Sequence, residues 1–119
     1  MYTIGALRNA DIAATLFPDW KCFFYCFDSV PQNIIDELES RQNCVIKRVD
    51  GHGDNRGMFH RFYPAEQDGI ERMICRDTDS RLSPREVLAV QDWINEGTDF
   101  HVMRDHPYHN TPILGGMWG

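Results

Sequence analysis

Trp20-Lys21-Cys22-Phe23-Phe24-Tyr25-Cys26-Phe27 is rich in aromatic residues and apolar on both faces, and Cys44-Val45-Ile46-Lys47-Arg48-Val49 follows as a second strand-like run. A strand apolar on both sides is covered on both sides, which is the pattern of a parallel sheet. Between the two runs, Pro31 suits the first turn of a helix, and Ile34, Ile35 and Leu38 form one helical face. Strand, helix, strand is the unit from which the rest of the fold is read.

Upstream, Ala6, Leu7, Ala10, Ala13, Ala14 and Phe17 give residues 4–17 a stripe of small residues suited to close packing on a sheet, ended by Pro18-Asp19. Downstream, Gly51-His52-Gly53-Asp54-Asn55 reads as a flexible loop. Gly57 to Tyr63 reads as a short helix carrying Met58, Phe59 and Phe62, and Arg72 to Arg76 as a third strand. Ser83-Pro84-Arg85-Glu86 starts a helix through both a capping-box pair and an N1 proline, and Gly97 closes it. Phe100 to Met103 makes a fourth strand, and the tail from Asp105 to Gly119 is loop-like, with a Gly115-Gly116 pair. This alternation predicts one α/β domain over residues 1–119, in three layers, with a mainly parallel sheet of about four strands and flanking helices. Ligands of such sheets bind beyond the carboxyl ends of the strands, which selects Asp28, Asp50, residues 77–81 and residues 104–109.

A length of 119 residues fits a single domain. No apolar run approaches the roughly 20 residues of a membrane helix, and the first residues lack the basic and apolar regions of a secretory signal. A net charge of −6 argues against a broad nucleic-acid-binding surface. Ten of the twelve basic residues are arginine, so local anion sites are compatible with the acidic total. Cys22, Cys26, Cys44 and Cys75 lie in apolar stretches without a C-x-x-C pair, which reads as buried reduced thiols in a cytoplasmic, reducing compartment.

Candidate chemistry concentrates in Arg76-Asp77-Thr78-Asp79-Ser80-Arg81. In an extended stretch Asp77 and Asp79 point the same way, and two carboxylates on one side suit a hard divalent cation whose remaining ligands are diphosphate oxygens. Arg76 and Arg81 then neutralise phosphate charge. The structural alternative is a simple strand-to-helix turn, because twelve aspartates in 119 residues give about one D-x-D by chance. A second cluster, Arg104-Asp105-His106-Pro107-Tyr108-His109, reads either as an acid/base or metal group or as an exposed turn around Pro107. Arg61, beside His60 in an apolar turn, is either a surface residue with a buried stem or an anion ligand.

Three strings carry a family resemblance: residues 76–86 (RDTDSRLSPRE), 100–109 (FHVMRDHPYH) and 112–119 (PILGGMWG). With Tyr2-Thr3-Ile4-Gly5-Ala6-Leu7-Arg8-Asn9-Ala10, Phe17-Pro18-Asp19-Trp20-Lys21 and Gly57-Met58-Phe59-His60-Arg61-Phe62, the chain resembles glycosyltransferase-like proteins of bacterial and viral polysaccharide loci over nearly its whole length. The resemblance implies a GT-A-type, Rossmann-like nucleotide-sugar fold in which Asp77 and Asp79 match the D-x-D that holds Mn²⁺ or Mg²⁺ against the donor diphosphate. Arg61 and Arg76 fall where such proteins place diphosphate or donor-sugar contacts, and the segment from Arg104 to His109, with Asp105, His106 and His109 as candidate catalytic groups, faces the sugar or a glycan acceptor; with Arg81 and Arg104 these arginines make up the expected cofactor-binding set. Relative to such proteins the chain looks like a truncated member lacking the first strand and the C-terminal acceptor half. A sheet edge left open invites pairing, so a homo-oligomer is expected. The competing classes are a metal-dependent phosphoesterase built on the same acidic and histidine residues, and a non-catalytic assembly module.

Overall fold

A computed structural model describes residues 2–104 and 106–119. Helix α1, Tyr2–Leu16, leads into strand β1, Cys22–Phe27, helix α2, Gln32–Glu39, and strand β2, Cys44–Val49. A 3-10 segment, Asn55–Glu66, precedes the two-residue strand β3, Cys75–Arg76; helix α3, Pro84–Glu96, and strand β4, Met117–Trp118, complete the order. Among the described residues no helix is long and apolar enough to cross a membrane.

The opening unit forms where its residues place it. β1 and β2 run parallel, paired from Cys22 with Cys44 to Phe27 with Val49. The stripe on α1 buries Gly5, Ala6, Asn9, Ala10 and Ala13. Ala6 and Ala10 join Cys26, Ile35 and Leu38 in a first core, with Phe24 and Ile46 packed against it. On the other face of β1, Tyr25 and Phe27 meet the His60 ring edge-on or tilted at 5.5 and 5.3 Å. α1 is tied down by Arg41, whose Nε and Nη2 donate to Asp11 at 2.7 and 3.2 Å, and by Asn43 Nδ2, which donates to the Ala10 carbonyl at 2.8 Å. A second core of Phe17, Val90 and Trp93 gathers Trp20, Ile74 and Leu82 around α3. α1 therefore supplies residues to both cores.

The expected three-layer, four-stranded, mainly parallel sheet does not form. Two two-stranded sheets stand in its place: β1 with β2 in parallel, and β3 with β4 antiparallel, Cys75 opposite Trp118 and Arg76 opposite Met117. The third strand expected over 72–76 shrinks to Cys75–Arg76. The stretch expected as a fourth strand meets β4 at a single antiparallel bridge, Val102 with Trp118. The tail is the cause. Met117 N donates to the Leu114 carbonyl at 3.2 Å across the glycine pair, and the reversed chain then lies between β3 and residues 101–103. An antiparallel neighbour needs only such a turn, whereas a parallel one needs a crossover of a dozen or more residues.

Leu38 is 1% exposed at the centre of the first core. Leu38→Ala is expected to cost about 2–5 kcal/mol through lost burial and a residual cavity, read as a lower denaturation midpoint at unchanged m-value.

Candidate functional site: the turn after β3

Residues 77–80 leave β3 in a tight turn, with the Ser80 amide donating to the Asp77 carbonyl at 3.2 Å. α1 holds this turn from beneath. The buried Asn9 donates from Nδ2 to the Ser80 carbonyl at 2.7 Å and accepts at Oδ1 from the Leu82 amide at 3.3 Å. One helical turn earlier on the same face, Gly5 approaches so closely that a Cβ would collide with the Thr78 carbonyl oxygen. Arg81 folds over the turn, its Nη1 donating to the Thr78 and Ser80 carbonyls at 2.9 and 3.2 Å.

Asp77 faces a second wall made by the tail. Gly116 is buried against it, and a Cβ there would overlap the carboxylate. Arg61, from the 3-10 segment, joins the two: its Nη1 donates to the Gly115 carbonyl and stands 3.5 Å from Asp77 Oδ1, while its Nε donates to the Met58 carbonyl at 3.1 Å. The Asp77 side chain remains 49% exposed, and Asp79, within the turn, is exposed. The stretch turns instead of running extended, so the alternation argument for Asp77 and Asp79 is replaced by the geometry of first and third turn residues. As a donor set the two carboxylates suit Mg²⁺ or Mn²⁺, since two hard oxygen ligands leave most of the shell to water and phosphate. Among the described residues no three His, Cys, Asp or Glu side chains gather around a common metal position.

The other expected site residues lie elsewhere. Arg76 is turned inward: Nη1 donates to the Cys75 and Trp118 carbonyls at 2.7 and 3.3 Å, Nη2 lies 3.4 Å from Met103 Sδ, and Nε stands 3.7 Å from Glu86 Oε2. The cap expected at Ser83 is not made by its side chain, and Glu86 stands beside Arg76. Arg104 donates to the Thr111 and Pro112 carbonyls at 3.2 and 2.5 Å and so braces the tail. His106 and His109 share an exposed turn, the His109 amide donating to the His106 carbonyl at 2.8 Å. His106 Nδ1 accepts from the Tyr108 amide at 3.2 Å, which places the proton of a neutral ring on Nε2. Asp105 lies outside the described residues. At the ends of β1 and β2, Asp28 Oδ2 accepts from the Gly51 amide at 2.8 Å and closes the strand ends together.

No family model, curated protein or solved structure matches the chain. The site stands on its own geometry. Gly5 and Asn9 carry no site expectation from the sequence, and Gly116 only that of a loop-like tail, although a glycine and an asparagine spaced i, i+4 in an alanine stripe are a signal for a close, polar contact.

Burial also shifts ionisable side chains elsewhere in the fold. The Cys75 thiol is pushed up by desolvation, and that of Cys22 to about 11 by burial and the neighbouring Cys44. His101, stacked on Trp93 at 5.4 Å, is held below its ordinary value by burial and then by the Arg76 charge. A histidine depressed in the folded state contributes full stability above its unfolded value near 6.5, and that contribution is lost as pH falls from there through the folded value. Denaturation midpoints measured across this window are expected to fall more steeply with acid for the native protein than for His101→Gln. Gly5→Ala is expected to lower the melting temperature although alanine is the better helix former, because the turn must move; Asn9→Ala is expected to cost about 1–3 kcal/mol by stranding a buried amide, read in the same melts.

Proposed function

We propose that the chain is a metal-dependent, nucleotide-sugar-binding domain of glycosyltransferase type that handles a nucleoside-diphosphate sugar and a glycan acceptor. One observation carries this reading: Asp77 is held half-exposed between Arg61 and the Gly115–Gly116 turn, beside the exposed Asp79, on a turn that α1 fixes in place. The resemblance of residues 76–86, 100–109 and 112–119 to glycosyltransferase-like proteins supports it from the sequence side.

In this reading Asp77 and Asp79 hold Mg²⁺ or Mn²⁺. When bound, the cation supplies Lewis-acid stabilisation of the departing diphosphate. Arg61 fixes the Asp77 carboxylate and sets the glycine turn against it, and the remaining guanidinium N–H groups of Arg61 and Arg81 are donors for phosphate oxygens. Anchoring by Asn9 means that the carboxylates need little reorganisation when charge develops. His106 and His109, with Asp105, are the candidate bases for an acceptor hydroxyl. The acidic surface fits a partner other than nucleic acid, and the four free thiols fit a reducing, cytoplasmic setting.

Thermal melts with Mn²⁺ and a panel of UDP- and GDP-sugars test the proposal. Saturation at about a hundred times Kd adds about 2.7 kcal/mol, a rise of several degrees for a domain of this size. Asp79→Ala is expected to abolish the rise while leaving the unliganded melting temperature nearly unchanged, since its side chain is exposed. A flat response to every donor overturns the reading.

A further inference from the structure

A groove of about 740 Å³ runs along the free edge of β1 and reaches, at one end, Asn9, Arg61 and Thr78 beside the turn after β3. One wall is β1 itself, from Cys22 to Tyr25. The ladder to β2 begins with the Cys22 amide donating to the Asn43 carbonyl at 2.7 Å. With the one-to-one register of the pair, alternation directs the amides and carbonyls of Cys22, Phe24 and Cys26 toward β2 and those of Phe23 and Tyr25 into the groove. The facing wall is the chain from Gly69 to Arg76, of which residues 70–74 run outside any helix or ladder before entering β3. Ala13 of α1 and Phe17 just beyond it line one side, and Met58, His60 and Pro64 of the 3-10 segment another.

We propose that this groove receives an extended, apolar β-strand of about five residues from another polypeptide, paired along β1. Three features fix that occupant. Strand spacing, the distance between packed layers and the rise per residue together give a five-residue strand roughly 800 Å³, close to the space present. A free strand edge offers donors and acceptors at a two-residue repeat, which an extended backbone matches and a compact small molecule does not. A strand lying between α1 and the 3-10 segment is covered on both faces, so its sequence is continuous in β-branched apolar residues and does not alternate. A second copy of this chain supplies no such piece among the described residues: the exposed large apolar residues outside helical segments are Phe100, Tyr108 and Ile113, each isolated in sequence.

Amide hydrogen exchange on the full chain tests this, with an acetylated peptide Lys-Val-Ile-Val-Ile-Val-Lys as the probe. Saturating peptide is expected to slow exchange at Phe23 and Tyr25 at least tenfold and to leave Phe24, already in the β2 ladder, nearly unchanged. The same peptide N-methylated throughout its apolar run is expected to give no protection, as it has lost its ladder donors. Tyr25→Pro removes an amide that faces the groove and not β2, and is expected to weaken peptide binding at least tenfold; the N-methylated probe carries the test on the native chain should that variant not fold. Equal binding of both peptides, or binding without protection of Phe23 and Tyr25, overturns the proposal. Protection that grows with protein concentration in the absence of peptide, together with a dimer in solution, overturns it in favour of a second copy as the occupant.

Discussion

The close approach of α1 to the chain that follows β3 organises this molecule. At Gly5 the helix backbone comes near enough to the Thr78 carbonyl that no side chain fits between them, and four residues on Asn9 answers both a carbonyl and an amide of the same stretch. Two partners spaced by one helical turn fix both distance and direction, which a single contact does not. Because α1 also contributes Ala6 and Ala10 to one core and Leu16 to the other, where Phe17 just past its end is buried, it is the shared support of two otherwise separate hydrophobic clusters.

Arg76 does for the second cluster what Asn9 does for the turn. Its guanidinium gathers the Trp118 carbonyl, the Met103 sulfur and Glu86, and so binds β3, β4, the 101–103 segment and α3 into one body. Burying such a pair carries a desolvation penalty that offsets much of its attraction, so its value lies in specifying which elements meet. An arginine immediately before the acidic couple is thus committed inward, while Arg61, sixteen residues earlier, reaches Asp77.

What the sequence disclosed follows the range of the interactions involved. The parallel unit of β1, α2 and β2 and the α3 helix with Gly97 at its left-handed end (φ 68°) depend on local pattern and are visible in the residues; of the four free cysteines expected to be buried, Cys26 and Cys75 are and Cys22 and Cys44 are half-buried. The arrangement of the remaining strands is not local. Nothing in Arg72 to Arg76 announces that only two residues will find a ladder, because their partner lies over forty residues away in a stretch that reads as a loop. The acidic couple was legible as a rim feature, but its turn is imposed by α1 and its cover by Gly116, both distant in sequence. The Ser83 and Glu86 pair differs from its local pattern too: the Ser83 side chain makes no cap, and Glu86 meets Arg76, ten residues away.

The position of β4 has a bearing on how the protein matures during synthesis. The parallel unit is complete in sequence by Val49 and can settle while the remainder is still being added. The glycine wall beside Asp77 cannot form until Gly115–Gly116 and Met117–Trp118 have emerged and settled between β3 and residues 101–103. A nascent chain therefore carries its acidic couple without the Gly116 wall until residues 115–118 have emerged, and whatever meets Asp77 before then, solvent ion or ligand, meets a more open carboxylate.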